Sequence, residues 1–115
     1  MRDLVEKYKE MLREEWELLK AMREIRRELA DVEDRVFKAV ADSKQVSEED
    51  AQEYGRLIEG LYGLVFEHVE LLDEQSALRG EMAVEEYEGR ADKEDLEEYY
   101  RVLGMWPWEV AKSES

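Results

Sequence analysis

The sequence predicts an all-α protein built on a long antiparallel helical hairpin with a short C-terminal helix. Three observations carry that reading. Apolar residues recur at alternating steps of four and three from Leu4 onward. No proline precedes Pro107, and turn-forming residues are sparse. A single short polar break, Asp42-Ser43-Lys44-Gln45-Val46, separates two long periodic runs, and so short a connection makes the flanking helices antiparallel neighbours.

The first helix spans residues 3–42 and is roughly 60 Å long at 1.5 Å per residue. Its seam reads Leu4, Tyr8, Met11, Glu15, Leu18, Met22, Ile25, Leu29, Val32, Val36 and Ala39, apolar everywhere except Glu15. Ser47 then offers an N-cap hydroxyl, and Glu48, Glu49 and Asp50 suit the positive end of a second helix over 47–79. That helix carries two adjoining stripes. One holds Ala51, Tyr54, Ile58, Leu61, Val65, His68, Leu72 and Gln75; the other repeats every seventh residue as Leu57, Leu64, Leu71 and Leu78. Gly55, Gly60 and Gly63 cost about 1 kcal/mol each against alanine, and permit close approach or a kink.

Arg79-Gly80 reads as a C-cap or kink. A short helix over 81–88, a break at Gly89, an N-cap at Asp92 and a helix over 93–103 follow, ended by Gly104. Residues 1–104 form a single helical domain. Residues 105–115 form a tail in which Met105 to Val110 is non-helical or one turn and Ala111 to Ser115 frays.

With the turn centred near Gln45, Glu15 meets Gln75 and Met22 meets His68. Glu15 and Gln75 then either form a polar layer that fixes register or leave Glu15 to snorkel to water, the plainer reading. Two helices cannot cover both stripes of the second helix, nor Val5, Leu12, Trp16 and Leu19 on the flank of the first. The C-terminal segment covers part of this. A second copy covers the rest as a dimeric four-helix bundle, with Leu57, Leu61, Leu64, His68, Leu71 and Leu78 as the oligomer seam. The other reading is a monomer sealed by its own tail.

Composition narrows the chemistry. The 115 residues carry 32 acidic and 17 basic side chains, a net charge of -15, with no cysteine. A disulfide scaffold, a thiolate metal site and a cysteine nucleophile are excluded. Direct nucleic-acid binding is disfavoured, because phosphate neutralisation needs a basic surface. The longest uncharged run of the central segment, Gly60 to Phe66, is far too short to span a bilayer, and acids occupy the start where a secretory signal is apolar. The expectation is a soluble, cytoplasmic protein with no membrane partner.

His68, the only histidine, lies on an apolar seam and reads as a packed or pH-sensitive residue rather than a ligand. A di-iron bundle needs Glu-x-x-His, and position 65 is valine. The few serines lack the context of a Ser-His-Asp triad. Glu14 with Glu17, and Glu70 with Asp73, resemble the Glu-x-x-Glu and Glu-x-x-Asp pairs with which all-α nucleotide pyrophosphohydrolases of the MazG type hold magnesium. That resemblance implies magnesium-dependent nucleotide hydrolysis. The heptad frame, however, turns Glu17, Glu70 and Asp73 outward, whereas magnesium carboxylates converge on a cleft. The linker is also longer than that family uses. No catalytic residue, cofactor or metal is therefore assigned.

Charge asymmetry is the strongest functional signal. Residues 1–45 hold 11 basic and 12 acidic groups, whereas residues 46–115 hold 6 and 20. Self-repulsion on this scale destabilises a fold and invites a compensating partner; the plain alternative is a solvated face that aids solubility. The expected function is non-catalytic binding of a basic protein, in the sharper form an inhibitor that mimics nucleic acid. The expected contact residues are Glu81, Glu85, Glu86, Tyr87, Glu88, Asp92, Glu94, Asp95, Glu97, Glu98, Tyr99 and Trp108. Tyr100 and Trp106 interleave with them, and Trp106 is the tryptophan better suited to capping the core. The alternative is a structural coiled-coil adaptor or assembly subunit.

Overall fold

The computed structural model describes residues 1–113. It contains α1 (Arg2–Ala41), α2 (Glu48–Tyr87), α3 (Lys93–Leu103) and α4 (Pro107–Ser113). Helices α1 and α2 form the long hairpin, and α3 and α4 are the short C-terminal helices. The heptad series on α1 holds: each of its members, Glu15 included, is buried or half-buried.

Local chemistry sets the helix ends. At the end of α1, Ser43 N–H donates to Val40 O and Lys44 N–H to Ala39 O, with Ser43 at φ 56. This is the Schellman pattern, filled by serine in the left-handed region that glycine adopts without strain. The linker to α2 runs over residues 42–47, and just beyond it Arg35 Nε meets Asp50 Oδ1 at 3.0 Å. Ser47 Oγ accepts from Asp50 N at 3.1 Å and caps α2. Asp92 caps α3 by accepting from Asp95 N at 2.8 Å.

Two expectations are corrected here. Arg79-Gly80 neither caps nor breaks the helix, and the separate helix over 81–88 is the continuation of α2. Leu78 and Met82, 5% and 1% exposed, flank Gly80 on the same buried stripe, and their burial outweighs the local cost of glycine. The true stop is Gly89, at φ +70, where Gly89 N–H donates to Glu86 O and Arg90 N–H to Glu85 O. The tail is also more ordered than its sequence suggests. Pro107 opens α4, Glu109 accepts from Trp106 N at 3.4 Å, and Val110 is 1% exposed. Of the stretch expected to fray, Ala111–Ser113 is helical; residues 114 and 115 lie outside the described residues.

The chain divides into two compact units. One comprises Leu18–Glu67, the loop end of the hairpin, with a core of Leu29, Val32 and Leu57 flanked by Ile25, Val36, Ile58 and Leu61. The helices approach closely in this unit: a Cβ on Gly60 would stand 3.3 Å from Ile25 Cδ1. The other comprises Met1–Glu17 and the chain from His68 onward. Its core joins Val5, Tyr8 and Leu12 of α1, Leu78 and Met82 of α2, Tyr99 and Val102 of α3, and Val110 of α4. The flank of the first helix that a hairpin leaves bare is thus covered at Val5 and Leu12 by the C-terminal helices.

Candidate functional site

The acidic surface belongs to the unit that holds α3 and α4. Its nine acids fall into two sets. Glu85 and Glu88 are drawn to Arg90, with Glu85 Oε1 2.9 Å from Arg90 Nη2. Glu98 lies 2.5 Å from Arg101 Nη2 and 2.6 Å from Lys9 Nζ. These three carry their countercharge with them. Among the described residues, Glu81, Glu86, Asp92, Glu94, Asp95 and Glu97 form no ion pair.

Lys9 is 8% exposed and lies on α1 between Glu6 (3.2 Å) and Glu98. Burial lowers its pKa, yet hydrogen bonds to Glu98 and Glu6 outweigh that effect and hold it above the ordinary lysine value. Glu98 is pushed down to about 2, first by its hydrogen bond from Arg101 and then by that from Lys9. Arg90 similarly holds Glu85 below the usual carboxylate range. Glu85 lies in the last turn of α2, where the helix dipole is negative, and Arg90 just beyond the cap offsets its charge.

The unpaired set lies with exposed aromatics. Glu94, Glu97 and Tyr100 follow one another at steps of three on the exposed side of α3. Tyr100 is 55% exposed, and its hydroxyl donates to Glu86 at the end of α2, which raises the phenol pKa. Glu94 and Asp95 also border a polar recess of about 280 Å³ shared with Arg2 and Lys9. Tyr87 is 92% exposed.

The aromatics separate in a way the sequence does not specify. Tyr99, expected on the contact surface, is 6% exposed and belongs to the core with Val102, because the apolar stripe of α3 passes through both. Burial raises its pKa. Trp106 does not cap the core; it is 61% exposed and stacks on Trp108 at 5.4 Å between centroids. Trp108 is exposed as well, at 44%, and its ring also lies 6.3 Å from that of Trp16.

The residues of the expected oligomer seam line the interior of the hairpin. Leu57, Leu71 and Leu78 are buried and Leu61, Leu64 and His68 half-buried within one chain. Large exposed apolar groups lie beside them instead: Tyr62 and Phe66, at 60% and 69%, in the unit at the loop end. The polar layer is real. Glu15 accepts from Gln75 Nε2 at 3.0 Å and lies 2.8 Å from His68 Nε2, while Gln75 also reaches Met11 O at 3.4 Å. Glu15 does not snorkel; it is 9% exposed.

Glu14, Glu17, Glu70 and Asp73 are all exposed. No group of three or more His, Asp or Glu side chains is placed to hold a metal ion among the described residues. No helix among them is long and apolar enough to cross a membrane. No family model, curated protein or solved structure matches the chain.

Proposed function

We propose that the protein is a non-catalytic binding module that presents the acidic, aromatic surface around α3 to a partner protein with a basic surface. In its sharper form the module occupies the groove of a nucleic-acid-binding protein, with carboxylates standing in for phosphates. The observation that carries this reading is the exposed Tyr100, hydrogen-bonded to Glu86 and preceded one turn earlier on α3 by the exposed Glu97, neither carboxylate forming an ion pair among the described residues. Unpaired charge of one sign steers a complementary partner, and a rigid tyrosine supplies contact area at small entropic cost.

The test is the salt dependence of binding to basic DNA- or RNA-binding proteins, for the natural chain and a Glu86→Gln, Glu94→Gln, Glu97→Gln variant. The reading expects affinity that falls steeply with salt, and a variant that binds weakly with a flatter salt slope. Equal affinities and equal slopes would refute it.

A second reading, an assembly subunit that dimerises, is favoured by Tyr62 and Phe66, since large aromatics so exposed on one helix are unusual unless covered. Sedimentation equilibrium tests it: a dimer that Phe66→Asp converts to a monomer of unchanged helicity supports the reading, and a monomeric natural chain removes it.

A further inference from the structure

An open groove of about 880 Å³ lies where the first turn of α1 meets the last turns of α2, apart from the α3 surface. Leu4 of α1 and Ala77, Gly80 and Val84 of α2 make its floor, and Asp3 and Glu81 flank it. The floor is apolar and open. Val84 is 49% exposed, and a Cβ built on Gly80 meets no heavy atom within 4 Å. Ala77, Gly80 and Val84 recur at steps of three and four, so they form one stripe about 10 Å long at 1.5 Å per residue, enough for two turns of an incoming helix.

Acidic groups outnumber basic ones around this floor: Asp3, Glu81 and Glu85 line it against Arg90 and the amino group of Met1. Neither Asp3 nor Glu81 is ion-paired among the described residues. Arg90, which also lines the groove, is held by Glu85 and Glu88 and does not neutralise them. An apolar floor between carboxylates complements a helix with one apolar face and basic residues on either side of it.

We infer that the groove takes an amphipathic, basic α-helix of the partner protein. Its apolar residues seat over Ala77, Gly80 and Val84, and its lysines or arginines meet Asp3 and Glu81. This rests on the reading that the partner is basic, and adds the kind of element by which it is held.

The experiment titrates the full chain into a fluorescent lysine–leucine peptide designed as an amphipathic helix. A second peptide of identical composition, scrambled so that its leucines form no stripe, is titrated in parallel. Gly80→Trp fills the groove from a position with room for a side chain, and Val84→Lys places a repelling charge on its floor. The proposal expects the amphipathic peptide to bind at least tenfold tighter than the scrambled one. Both variants should lose at least tenfold in that affinity, with helicity by circular dichroism unchanged. If both peptides bind alike and both variants are silent, the groove is overturned while the basic-partner reading stands. If neither peptide binds at low salt, both fall together.

Discussion

Replacing Glu15 with alanine removes the acceptor shared by His68 and Gln75. Gln75 is 3% exposed, and its remaining contact, to Met11 O, is long at 3.4 Å. Stranding a buried donor costs about 1–3 kcal/mol. The His68 side chain is 20% exposed, so water can recover part of its loss. The expected destabilisation is therefore about 2–3 kcal/mol, most of it at Gln75. Urea unfolding followed by circular dichroism should show a lower midpoint at an unchanged slope. The double variant Glu15→Leu with Gln75→Leu removes donor and acceptor together. It should return to within about 1 kcal/mol of the natural chain or exceed it, as buried polar groups replaced by packed apolar ones commonly do. A Glu15→Ala midpoint unchanged from the natural one, or a double variant as weak as the single, would refute the argument.

Ser43→Gly relieves the left-handed backbone at the end of α1 and should stabilise by about 1 kcal/mol, read as a higher unfolding midpoint. Met82→Ala opens a cavity where α1, α2 and the C-terminal helices meet and should cost about 2–5 kcal/mol, with faster proteolysis of the C-terminal segment. Acid titration should expose the Glu98 pairing. Its folded pKa of about 2 lies below the ordinary 4.5, so its stabilisation is complete above that ordinary value and fades as pH falls towards 2. Glu98 is 33% exposed, and screening reduces its contribution to about 1 kcal/mol. Glu98→Gln should remove that part of the acid dependence.

The hairpin was legible because its cause is local: the seam from Leu4 to Ala39 and the capping residues Ser47 and Asp92 act within a few residues of themselves. Gly80 misled because a helix breaker is judged by propensity, whereas Leu78 and Met82 are held by contacts distant in sequence. The partition of Tyr99 from Tyr100 depends on the phase at which α3 docks, which its own eleven residues do not announce. The exposure of Trp106 has the same origin, since its stacking partner Trp108 lies against Trp16, a residue distant in sequence. For the site, charge count located the acidic region but could not divide it. Lys9 is remote in sequence from Glu98, and only the fold shows that this carboxylate is spoken for while Glu94 and Glu97 are not.

The most direct test of the central claim is affinity capture from the natural source with the intact chain as bait. Elution proceeds in steps of rising salt and then by competing DNA or RNA, beside a Glu86→Gln, Glu94→Gln, Glu97→Gln, Tyr100→Ala bait. The account predicts a basic nucleic-acid-binding protein retained by the natural chain, released by moderate salt or competing nucleic acid, and lost from the variant. Retention of no basic protein, or equal retention by both baits, would contradict it.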